Sequence, residues 1–111
     1  MAEETTKQTV GKGTEAQIVI SMQPLVGEDG TDYSLSDLDW ICTFEGVSQY
    51  NVHKGDAIQL SNDSYECLVD TNATGVSANI KAWLTVTNIP TINGRTRKEV
   101  TPPMLTNLEV I

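Results

Sequence analysis

The sequence predicts an all-β domain, on three observations. Apolar and polar side chains alternate at the period of two that a half-buried strand requires, over residues 15–22, 38–44 and 79–88. Turn signals punctuate the chain at strand-length intervals: Asp29-Gly30, Glu45-Gly46, Lys54-Gly55-Asp56, Asn62-Asp63, Asn93-Gly94 and Pro102-Pro103. No stretch carries a convincing helical period.

Taken in order, residues 1–14 read as a polar arm of Thr, Glu, Lys, Gln and Gly in which Val10 is the one apolar side chain of size after Met1. The domain proper spans residues 15–111. Its first strand, 15–22, turns Ala16, Ile18, Ile20 and Met22 to one side and ends at Pro24. Residues 24–37 form a turn-rich connection. The strand at 38–44 puts Leu38, Trp40, Cys42 and Phe44 on one face, with Asp39, Ile41 and Thr43 on the other. Residues 47–53 pair back across Glu45-Gly46, and 57–61 follow with Ile58 and Leu60 inward. Tyr65, Cys67 and Val69 share a face over 64–70, and 71–75 are a loop. The strongest strand, 79–88, buries Ile80, Ala82, Leu84 and Val86 before Pro90, and a last strand at 104–111 carries Leu108 and Val110. About seven short strands spaced in this way give a β-sandwich or a partly open barrel, and two packed sheets let every alternating strand bury one face.

A chain of 111 residues that is 39% hydrophobic suits one domain with a modest core. The formal net charge of −8 argues against nucleic-acid binding and favours solubility. No apolar run reaches the roughly 18–20 residues of a membrane span, and the first residues lack the apolar core of a secretory signal, so no membrane partner is expected. Cys42 and Cys67 form neither a CxxC pair nor a cluster with His53, the single histidine, so buried free thiols and a reducing compartment are expected. The sequons at Asn62 and Asn72 then read as chance matches in loops.

Catalytic chemistry finds little to work with. His53 sits beside Lys54-Gly55 at a strand end, no serine lies in a nucleophile motif, and nothing singles out one carboxylate pair among fifteen acids. Glu28, Asp29, Asp32, Asp37 and Asp39 crowd together without a basic neighbour, but their spacing does not fit a calcium loop. Turns account for them; Asp29, Asp32 and Asp37 are the ligands a cation would use. No cofactor and no catalytic or metal site is expected.

The surface is more informative. Trp83 falls out of phase with Ile80, Ala82, Leu84 and Val86, alongside Lys81, Thr85 and Thr87, and a tryptophan on a polar strand face is an interface anchor or a sugar-stacking platform. Lys81, Arg95, Arg97 and Lys98 are the only charges between Asp70 and Glu99, whereas residues 28–45 carry acids alone; on opposite faces these groups would suit head-to-tail joining or a complementary partner. Ordering the arm costs on the order of 10–20 kcal/mol of backbone entropy, more than its polar side chains recover, so a neighbouring chain is expected to hold it. The expected interface residues are Val10, Lys81, Trp83, Arg95, Arg97 and Lys98.

Three pieces of sequence resemble a known family: GEDGTDYSLSDLDWICTF after an opening strand, a central GDAIQLSNDSYECLVDT, and a long strand ending in proline followed by NGRTRKEV and LTNLEVI. Their order over residues 16–111 resembles the small immunoglobulin-like domains of phage virion proteins, especially head-fibre and tail-adaptor subunits of crAss-like phages of Bacteroides-type bacteria. In those domains the third piece runs through a proline-aspartate turn and D-G-x-R; here Ile89-Pro90 and Asn93-Gly94-Arg95 stand in its place. The resemblance implies an immunoglobulin-like antiparallel sandwich of about seven strands with an extended N-terminal arm. It further implies a structural role in a virion made in the host cytoplasm, as a head-fibre or capsid-decoration subunit attached through its arm and outer β surface, with capsid or fibre proteins as partners and an oligomer, a trimer being natural for a fibre. A carbohydrate-binding module stacking sugars on Trp83 and Tyr33 is the alternative, and a small glycoside-processing enzyme comes last.

Overall fold

Alternation becomes register in the structure, a computed structural model that describes residues 7–111. Twelve strands form: β1 (Gln8–Val10), β2 (Glu15–Ser21), β3 (Leu25–Val26), β4 (Asp32–Tyr33), β5 (Asp39–Glu45), β6 (Gln49–His53), β7 (Ile58–Gln59), β8 (Ser64–Asp70), β9 (Lys81–Pro90), β10 (Thr96–Val100), β11 (Met104–Leu105) and β12 (Leu108–Val110). One larger sheet runs β10-β9-β5-β6, with β11 also on β9; a second runs β2-β8-β7. Both are antiparallel throughout. A small hairpin, β3-β4, and a parallel pair, β1-β12, complete an all-β fold.

The two larger sheets face each other over one core. Ala16, Ile18, Ile20, Tyr65, Cys67 and Val69 supply one side, and Trp40, Cys42, Phe44, Ala82, Leu84 and Val86 the other. Each of these is the inward half of an alternating strand, so the sequence phase and the buried face agree. Trp40 meets Tyr65 edge to face with ring centroids 5.0 Å apart, a geometry that adds about 0.5–1.5 kcal/mol beyond the area buried. The molecule measures 48 × 36 × 22 Å, and the short dimension fits two sheets about 10 Å apart with side chains on both outer faces.

Several expectations need correction. The second half of the arm, read from the sequence as lacking a partner of its own, pairs within the chain. Gln8, Thr9 and Val10 pair with Leu108, Glu109 and Val110. The amides of Gln8 and Lys12 donate to Asn107 and Ile111 carbonyls, and Lys7 lies 3.4 Å from Glu109. Residues 1–6 of the arm lie outside the described residues. Ile58 and Leu60, expected inward, are exposed. The register explains why: Ile58 pairs with Glu66, which points outward on β8, and Leu60 shares its phase.

Residues 71–75 contain one helical turn, α1 (Thr71–Thr74), capped by Asp70 accepting from the Asn72 amide at 2.9 Å. A strand not expected from the sequence, β10, pairs with β9. The single strand expected at 104–111 is broken into β11 and β12, with Asn107 at φ 59° between them. β9 also carries a β-bulge: Arg97 pairs with Ile89 and Glu99 with Val86, leaving one extra residue on β9 and Asn88 at φ 60°. The bulge reverses the phase, so Ile89 is fully buried where strict alternation would put Asn88.

Candidate interaction surface

Trp83 sits on the outward face of the five-stranded sheet, half-buried, as the period of two requires. Its cross-strand partner is Thr43, which is buried despite facing outward and donates from its hydroxyl to Asn51 Oδ1 at 2.8 Å. One row along the strand, His53, Ile41, Thr85 and Val100 follow one another across four strands; one row the other way come Gln49, Glu45, Lys81 and Leu105. The tryptophan therefore lies diagonally between Ile41, Val100 and Leu105, and the last two are exposed.

The gap between β10 and β11 opens beside Trp83. There the Thr101 amide donates to the Leu84 carbonyl and the Leu84 amide donates to Thr101 Oγ1, each at 2.9 Å. These two bonds carry the edge past Pro102-Pro103, which cannot pair. Thr101 thereby holds Val100 and Leu105 on either side of the indole.

The expected interface residues do not all converge. Lys81 is on the Trp83 face, directly cross-strand from Glu45. Lys98 is exposed on β10, and Arg95 is exposed in the turn, where its carbonyl accepts from the Thr91 amide at 2.9 Å. Arg97 pairs with buried Ile89, so it shares the inner phase at the sheet edge, 3.8 Å from Glu99. Val10 is elsewhere, half-buried against the core from β1. Ile41, Val100 and Leu105 are the surface residues the sequence did not single out. The outward phase of Ile41 was legible; the other two depend on β10 and β11, which were not. Tyr33 belongs to the β3-β4 hairpin and packs against the core, so it shares no sheet with Trp83.

The acidic segment is built of turns. Asp29 accepts from the Thr31 amide at 3.0 Å, and Asp37 accepts from both the amide and the hydroxyl of Ser34 at 3.1 and 3.0 Å. These bonds hold both carboxyls below the usual Asp value. Glu28 reaches the other hairpin, accepting from the Ile92 amide at 3.2 Å. No group of three His, Cys, Asp or Glu among the described residues is arranged to hold a metal ion, and no cavity is present among them.

Cys42 and Cys67 are fully buried and free, on facing strands two residues beyond Trp40 and Tyr65. The two thiols titrate as a pair, the neighbouring Cys67 and then burial raising Cys42 while Cys42 lowers Cys67. His53 is exposed at the end of β6.

Comparison of the chain with protein-family models, with curated proteins and with solved structures returned no match.

Proposed function

We propose that the chain is a structural subunit of a phage virion, a head-fibre or capsid-decoration protein that attaches through its outer β surface. The observation that carries this reading is the Trp83 face: a half-buried tryptophan amid exposed Val100 and Leu105, flanked by lysines. Aromatic anchors within an apolar patch and a charged rim are what protein interfaces are made of.

An immunoglobulin-like sandwich is part of the same proposal, and the strand pairing supports it. The orders β2-β8-β7 and β10-β9-β5-β6 follow the B-E-D and G-F-C-C′ pattern of such domains. The parallel β1-β12 pair adds the first strand to the last. Among the described residues, twelve strands in place of about seven arise because the expected last strand is split in two, the β3-β4 hairpin is added, and β1 and β10 form in segments that read as arm and turn.

The test is to tag the gene in the genome that encodes it and band particles from infected cells on a density gradient. The tagged chain is expected to co-band with the major capsid protein and to be released by Trp83→Glu. Recovery only in the particle-free fraction overturns the reading. The alternative, sugar binding, rests on Trp83 alone, since Tyr33 is committed to the core; it requires quenching of Trp83 fluorescence by host surface glycans.

A further inference from the structure

We propose that the outer face of the β2-β8-β7 sheet is the docking surface for the Trp83 face of a second copy of this chain, so that copies join head to tail. The inference deepens the assembly reading above and rests on its assignment of the Trp83 face as an interface.

The outer face of this second sheet is apolar where a solvated sheet reads polar. Val19, Ile58 and Leu68 are 58%, 59% and 46% exposed, and Leu60 beside them is 54% exposed. The register gathers them: Val19, Glu66 and Ile58 form one row across three strands, and Leu68 lies in the next, opposite Gln17. An antiparallel edge strand with outward β-branched residues needs either a charge guard or a partner.

The charges on this face have one sign. Glu15, Glu66 and Asp70 face outward on β2 and β8, and none of β2, β7 and β8 contains a lysine or arginine. The opposite sign is concentrated across the molecule. Lys81, Arg95, Arg97 and Lys98, four of the chain's seven basic residues, lie on β9, β10 and the turn between them. Lys81 and Lys98 border the Trp83 patch; Glu45 stands cross-strand from Lys81 and Asp39 from Thr87, so the acids of this face lie on β5 and its positive side is the β10 side. One face thus offers three acids around Val19, Leu68 and Ile58, and the β10 side of the other offers Lys98, with Arg95 in the adjoining turn, beside Val100 and Trp83.

The two faces belong to different sheets and point away from each other across the core. A twofold dimer would bring like faces together, and two acidic faces repel. Pairing unlike faces satisfies charge and apolar area together, and the contact is then heterologous: each copy keeps one free face, and the assembly grows as a row or closes as a ring.

Sedimentation velocity on the full chain, with circular dichroism to verify folding, tests this. The wild type is expected to form species larger than a dimer as its concentration rises. Val100→Glu blocks one face and Leu68→Arg the other, so each variant alone should be monomeric. Their equimolar mixture should form a dimer and nothing larger, because one good face remains on each. The charge reversal Glu66→Lys, which leaves the apolar patch in place, should weaken association about tenfold. Adding Lys98→Glu to it should restore affinity. A wild type that stays monomeric, or stops at a dimer while the mixed variants fail to pair, overturns the head-to-tail contact. A monomeric chain that still co-bands with particles would sink this inference alone and leave the virion reading standing.

Discussion

Gly46 shows how a single position constrains the fold. A Cβ there would lie 2.8 Å from both the Thr74 carbonyl and Ile80 Cδ1, so the β5-β6 turn can approach α1 only without a side chain. Gly46→Ala is expected to cost about 1–3 kcal/mol in urea unfolding. Trp40 is fully buried, yet its Nε1 has no partner among the described residues. Trp40→Ala should cost about 3–5 kcal/mol, and Trp40→Phe less than half of that, because phenylalanine keeps the ring contact with Tyr65 and removes an unpaired donor. Asp37 contributes a pH dependence. Its carboxylate accepts from the Ser34 amide and hydroxyl, which holds its pKa below 3.8. A depressed carboxylate stabilises the fold above its unfolded pKa, and that stability is lost as pH falls through the folded value. The urea midpoint should therefore fall on acidification from about pH 6 to about pH 3, and fall less in Asp37→Asn.

At the scale of elements, the strands of the core were legible because each has one buried face. The period of two predicted the inward sets of β2, β5, β8 and β9 correctly. It failed where another constraint set the phase. Ile89 is buried because the Asn88 bulge adds a residue to β9, and no alternation rule anticipates a left-handed asparagine. Ile58 is exposed because β7 is a short edge whose phase is inherited from Glu66. β10 reads as charged, TRKEV, because it is an edge with little to bury. The pairing of the arm was not legible for a different reason: its ladder partner lies a hundred residues away, beyond any local pattern. That pairing makes a specific expectation. In the purified monomer, the amides of Gln8 and Lys12 should exchange slowly, and Val10→Pro, which fixes φ in a paired strand, should release them. Rapid exchange of both amides in the monomer would contradict the β1-β12 ladder as what orders residues 8–12.

For the whole molecule, the two outer faces are alike in exposing apolar side chains, and the proposed assembly rests on that and on the contrast between the acids of one face and the basic β10 side of the other. Trp83 alone was legible as an outward tryptophan; the patch around it required β9, β10 and β11 to be placed side by side. Because Trp40 is buried and Trp83 half-exposed, a Trp40→Phe background isolates Trp83 as the single tryptophan reporter. Acrylamide quenching of that tryptophan should be efficient in the dilute chain and suppressed once the chain is incorporated into purified particles. Quenching that is unchanged between the free and the particle-bound chain would contradict the Trp83 face as the surface through which this protein acts.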